Sequence, residues 1–275
     1  MGAFLGLMAA PVLAAMVLVL MHGYLGGHVV RRGVIFVDIA LAQVAAFGVA
    51  IALFFGAHVG SDTAWLAGLG ATVVGAVLIA ATRTRDPVVP QEAYIGIIYA
   101  VFSAAMILVL TQVPHGGEEI RHLLVGSILW VTWPEVLKTA LLYLALGGFL
   151  WWAHPRLQLI SEDPVAAAAR GLSLRRWDFV FYAVLGTVVT SSVQIAGVLL
   201  VFTLLVVPTV MACRRRCDGG ARHLGFVLVV GVTAVVLGAA ASWWLDVPTG
   251  AAIVCVFGIL LGLQASLEAL TRTRR

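Results

Sequence analysis

Eight long stretches dominated by apolar side chains run through the sequence, at about 3–22, 34–56, 63–82, 91–113, 134–153, 177–212, 224–245 and 249–268. A helix needs roughly 20 such residues to cross a hydrocarbon core about 30 Å thick. Backbone amides find no water there, so a chain of this kind has to satisfy them within helices or a closed barrel. The length of each stretch selects helices. With 62% hydrophobic and only 11% charged residues, the chain lacks the polar surface of a water-soluble domain, which is roughly a quarter charged. The expected fold is all-α: a polytopic transmembrane bundle of 8–9 spans forming one domain over residues 1–275. The first stretch has no basic residues before it and reads as a retained helix rather than a secretion signal.

The stretch 177–212 is too long for one crossing, since 36 helical residues rise about 54 Å. A polar run, Thr190-Ser191-Ser192-Val193-Gln194, interrupts it and suggests two short crossings or a broken helix turning near Ser192. Charge supports the split. The sequence holds 17 Lys and Arg, and with two crossings all but Arg121 and Lys138 fall on one side. With a single crossing, Arg214, Arg215, Arg216, Arg222, Arg272, Arg274 and Arg275 would move to the opposite side. The positive-inside rule makes the arginine-rich side cytoplasmic and explains the net charge of +4 without a nucleic-acid partner. This places the chain in the cell inner (plasma) membrane, multi-pass, with the N-terminus outside and the C-terminus cytoplasmic. Leu123–Trp133 is too short to cross and reads as an interfacial or re-entrant piece.

Several chemistries are unsupported. The single lysine, Lys138, lies in Glu135-Val136-Leu137-Lys138-Thr139, without the glycine-rich lead-in of a phosphate-binding loop. The chain is therefore expected not to be an enzyme, with any ATP hydrolysis left to a partner chain. Cys213, Cys217 and Cys255 form no disulfide framework. No serine elbow or paired-histidine zinc motif occurs, and all seven histidines fall at span ends or in loops by this segmentation.

Ionisable and amide side chains inside spans are functional candidates because their burial costs free energy. Asp38 lies near the start of the second span, followed by Gln43. Glu92 opens the fourth, with Tyr99 two turns on, and Gln194 sits in the break of the long stretch. Together Asp38, Gln43, Glu92, Tyr99 and Gln194 outline a sparse oxygen-rich translocation path, with Asp38 and Glu92 as candidate metal ligands. Pro90-Gln91-Glu92 also has the composition of a helix N-terminus, with an acid in the first turn. His115 and His122, in the polar segment Pro114–His122, are weaker candidates for a divalent metal. In the cytoplasmic loop, Asp163 as N-cap, Pro164 at the first helical position, the alanine run with Ala167, then Arg170 and Gly171 specify a short helix.

These motifs together resemble a known family. Gly27-His28-Val29-Val30-Arg31-Arg32-Gly33-Val34-Ile35-Phe36-Val37-Asp38-Ile39-Ala40-Leu41-Ala42-Gln43 is similar to the segment that opens the second helix in permeases of metal-type ABC transporters. Glu92-Ala93-Tyr94-Ile95-Gly96-Ile97-Ile98-Tyr99-Ala100, Leu124-Val125-Gly126-Ser127-Ile128-Leu129, and Gln194-Ile195-Ala196-Gly197-Val198-Leu199-Leu200 continuing to Val207-Pro208 resemble its further motifs. The resemblance implies a homodimeric permease subunit for a divalent transition metal such as zinc or manganese. It also implies a cytoplasmic ATP-binding subunit and an extracytoplasmic metal-binding protein as partners. Asp163–Gly171 would be the coupling helix seated in the ATPase. The chain would bind no cofactor of its own, the divalent metal ion being its cargo. The family pattern has a histidine four residues after the acid matching Asp38; here that residue is Ala42, and Gln43, the fifth, points about 140° away from Asp38. That departure weakens a tight zinc site and favours an oxygen-lined path. The competing reading is an ion-coupled secondary transporter using Asp38 and Glu92 as a proton relay.

Overall fold

A computed structural model describes residues 2–58, 60–83, 89–113, 128–215 and 220–272. The described residues form helices and turns, with no strands among them. In chain order the helices are α1 (Gly2–Arg32), α2 (Val37–Phe54), α3 (Asp62–Ala81), α4 (Gln91–Leu110), α5 (Trp133–Glu162), α6 (Pro164–Ala169), α7 (Leu174–Arg214), α8 (Gly220–Leu245) and α9 (Thr249–Arg272), with a 3-10 turn at Ile128–Trp130 before α5. Eight of the nine, all but α6, are long and apolar enough to cross a membrane.

The helix ends follow local capping chemistry. Ser61 accepts a hydrogen bond from Ala64 N at 3.2 Å and starts α3. Thr132 and Glu135 form a reciprocal capping box at the start of α5, with Thr132 N donating to Glu135 Oε2 at 2.7 Å. α1 and α5 run well past the apolar stretches that mark them. They end at Arg32 and Glu162 rather than near 22 and 153, because a helix needs no apolar side chains once it leaves the hydrocarbon.

The long helix α7 is two arms that double back on each other. Along the first arm, Asp178 lies beside Arg32 of α1. Ser192 then reaches His22, and Ile195 packs on the cluster that holds Ala10 and Ala14. At Gly197 the backbone turns to φ 76°, ψ 161°, a region essentially reserved for glycine. Beyond it the chain returns. Phe202 stacks on Phe36 with ring centroids 6.2 Å apart, and Leu205 and Thr209 lie against Gly26. Gln264 Nε2 donates to Met211 O at 3.0 Å, and Arg214 pairs with Glu268 at 2.7 Å. The chain therefore reverses within 174–214, as the charge distribution requires, but at Gly197 rather than at the Thr190–Gln194 run. Ser192 Oγ donates back to Val188 O, and Thr190 Oγ1 pairs with Thr72 Oγ1 of α3 at 2.9 Å, so the run stays helical.

Close helix contact replaces the hydrophobic driving force that lipid removes. A Cβ on Gly26 would come within 2.1 Å of Leu205 O, so α1 and the returning arm of α7 meet backbone to backbone. α2 and α7 occupy the buried centre, whereas α4 buries only Ile95, Met106 and Leu110 in the single chain.

Candidate functional site

Asp38 sits in the first turn of α2 and is only 1% exposed. Its carboxylate accepts from Ile39 N at 2.8 Å, and no cation pairs with it among the described residues. The first turn of a helix favours an acid through its unpaired amides, which is how a carboxylate persists there without a partner. Gln43 is also buried, and its Oε1 has no hydrogen-bond partner among the described residues. The two side chains are not bonded to each other, consistent with their five-residue spacing.

The other residues expected on the path stand elsewhere. Glu92 reaches from α4 to the segment that opens α2, accepting from Phe36 N at 2.9 Å and Ile35 N at 3.2 Å. It caps the helix that carries Asp38. Tyr99 is 41% exposed on α4, and Gln194 is exposed on the first arm of α7. No hydrogen bond joins any two of the five among the described residues. His115 and His122 lie outside the described residues, as does most of Leu124–Leu129. Among the described residues no group of three or more His, Cys, Asp or Glu is placed to hold a metal ion.

The short helix α6 has the anatomy its sequence specifies. Asp163 Oδ1 accepts from Val165 N at 3.1 Å and Ala166 N at 2.9 Å, and Pro164 takes the first helical position. Arg170 closes the helix, and Gly171 follows at φ 78°. Ala167 is fully buried while Val165 faces outward. The helix therefore stands on one anchored face with its other face free.

Two polar assemblies escape a hydropathy reading. At the arginine-rich end, the Asp178 side chain is 1% exposed and bridges two guanidinium groups. Arg32 Nη1 donates to it at 2.7 Å, and Arg83 donates to its other oxygen. Arg32 Nε also donates to Ser161 Oγ at 2.9 Å, just ahead of α6, and its guanidinium lies 4.1 Å from the Phe181 ring centroid. Further into the bundle, His22 Nδ1 donates to Leu18 O at 2.8 Å while its Nε2 faces Ser192 Oγ at 3.2 Å, and Tyr143 bonds the same hydroxyl. His22, His28, His154 and His223 all belong to helices rather than loops, with His28 and His223 near helix ends and His22 and His154 further in, because α1 and α5 extend past their apolar cores. Trp177-Asp178 at the edge of a span was the available signal for the ion site.

Over residues 5–267 the chain matches the ABC 3 transport family, and it belongs to that family. It is 28% identical over 193 residues to the manganese transport system membrane protein MntB of Synechocystis, an alignment covering 70% of this chain and 61% of that protein. The chain thus spans less than two thirds of that relative's length. It is 25% identical over 254 residues to the manganese transport system membrane protein MntC of Halalkalibacterium halodurans, covering 91% of this chain and 83% of that one. Its fold is that of PsaBC from Streptococcus pneumoniae, solved in complex with a Fab, with a TM-score of 0.78, 20% identity, and 96% and 94% of the two chains covered.

Proposed function

We propose that this chain is the membrane-spanning permease subunit of an ATP-driven transporter for a divalent transition-metal ion. The observation that carries the reading is α6. A six-residue helix, capped at both ends and anchored through Ala167, projects its free face at the end of the bundle where the arginines gather. Such an element suits docking onto a separate ATP-binding subunit, which would supply the hydrolysis that a chain without a phosphate-binding loop lacks. By the positive-inside rule that end, with the C-terminus, faces the cytoplasm of the plasma membrane. An extracytoplasmic metal-binding protein would deliver the ion to the opposite face.

Asp38 supports the cargo assignment. An acid buried inside a span without a cation partner is a functional candidate by default. Asp38 and Gln43 offer oxygen ligands, which suit manganese better than imidazole-preferring zinc. Their separate faces would give a weak, multi-site path rather than a tight cage. Tyr99 and Gln194 are exposed in a single chain and would line the path where a second copy in a homodimer faces them. Glu92 is already engaged by two backbone amides of the α2 segment, which argues against the ion-coupled alternative.

The test reconstitutes the permease with its ATP-binding subunit and measures uptake of manganese and zinc into liposomes. Uptake should require ATP, and Asp38→Asn should lower it at least tenfold. Asp163→Ala should leave the bundle folded but weaken ATPase docking. Ion uptake by the permease alone, driven by a proton gradient without ATP, would overturn the reading.

A further inference from the structure

Between α1, α5 and α8 lies a cavity of about 750 Å³, within the range of ~300–1,000 Å³ typical of ligand sites. Its walls are graded along the membrane normal. One end is lined by Val17, Leu20, Met21 and Leu144, and the other by Tyr24, His28, Arg31, His154 and Gln158. The polar end is the arginine-rich end of the bundle. Leu144 and Trp151 stand exposed at the rim, 73% and 85%, so the cavity opens sideways toward the hydrocarbon. Gly147 and Gly148 leave the α5 wall without side chains.

We infer that this cavity seats one anionic phospholipid from the leaflet on the arginine-rich side, with an acyl chain in the slot and the headgroup at Arg31. The length fits. From Val17 to Arg31 a helix rises about 21 Å, matching one leaflet, or half of a bilayer about 40–45 Å thick with its headgroups. The polarity fits too, apolar where the hydrocarbon lies and polar where the headgroups lie. Charge selects the headgroup. Tyr24 and His154 are bonded to each other at 2.9 Å and His28 to Ser161 at 3.0 Å, and Arg31 is the arginine among the lining residues, with His223 of α8 at the same end. The partner of Arg31, Glu162, is 3.7 Å away, and the two side chains are 25% and 45% exposed. That pair is weak and yields to a phosphate diester, as basic pockets between spanning helices do.

The experiment places the full chain in nanodiscs of phosphatidylcholine with a minor fraction of phosphatidylglycerol, releases it, and counts retained phospholipid by native mass spectrometry. One phosphatidylglycerol per chain is expected, enriched at least fivefold over its share of the bilayer. Gly147→Leu and Gly148→Leu should each abolish that retention. A Cβ at Gly148 meets nothing within 4 Å and one at Gly147 meets only Met21 Cε at 3.9 Å. Leucine also raises helix propensity there, so both variants should fold with an unchanged unfolding midpoint. Arg31→Gln should remove the enrichment while retaining lipid, and Glu162→Gln should preserve or raise it. Retention of phosphatidylcholine and phosphatidylglycerol in proportion to the bilayer, unaltered retention in both leucine variants, or loss of dimer rather than of lipid would overturn the inference.

Discussion

Replacing Asp178 by Asn removes the single negative charge between Arg32 and Arg83 while preserving the shape of the site. The carboxylate is 1% exposed, and the side chains facing it are 6% exposed at Arg32 and 21% at Arg83. Removing one partner of a buried ion pair costs about 3–5 kcal/mol, because the remaining charge stays desolvated. Arg32 keeps its bond to Ser161 and its place over the Phe181 ring, the latter worth ~0.5–2 kcal/mol, which brings the expectation to the lower end, about 3 kcal/mol. The geometry also sets an order. Asp178→Asn strips both arginines of their counter-charge. Arg32→Gln leaves Asp178 paired with Arg83 and should cost less. Arg83→Gln removes a partner that water already reaches and should cost about 1 kcal/mol or below. Equilibrium unfolding of the purified chain in mixed micelles, monitored by circular dichroism, measures all three. An Asp178→Asn variant within 0.5 kcal/mol of wild type, or an inverted order of the two arginine variants, would refute the claim that Asp178 is a desolvated carboxylate holding two guanidinium groups together.

Gly197→Ala forces a side chain into a backbone region that glycine alone tolerates, so it should cost about 1–3 kcal/mol or more in the same assay and slow refolding of the hairpin; a neutral alanine would mean that the reversal does not depend on that conformation. Glu92→Ala should lose about 1–2 kcal/mol through the uncapped start of α2, whereas Glu92→Gln, which keeps an acceptor oxygen, should retain at least half of the ion uptake. An equally inactive Gln variant would place the charge of Glu92 on the path after all. Gly26→Ala should prevent the close approach of α1 to the returning arm of α7, seen as loss of the folded species on size-exclusion chromatography; normal elution and stability would show that the two backbones can separate without cost.

Much of the fold follows from hydropathy and charge because both act residue by residue. Each span is a local consequence of burying backbone amides in lipid, and the arginine bias records which helix ends share a side. The capped helix α6 was legible for the same reason, since Asp163, Pro164 and Gly171 each act within one turn of their own position. The short-range rule fails where the partner is remote. Asp178 meets Arg32 across 146 residues and His28 meets Ser161 across 133, and nothing in the apolar stretches announces either pairing.

Asp38 and Glu92 show the division most clearly. In sequence they are two acids near the starts of two spans, alike in composition and in expected role. Tertiary structure separates them. Glu92 is drawn to the open amides ahead of α2, while Asp38 remains buried, accepts from Ile39 N and has no cation beside it among the described residues. The sequence by itself determined a membrane-spanning helical bundle, its charge asymmetry and its short capped helix, because those depend on local solvation and capping. Which carboxylate is free to meet an ion, where the long helix turns back and what opens between α1, α5 and α8 depend on contacts between segments far apart in the chain, and only packing decides them.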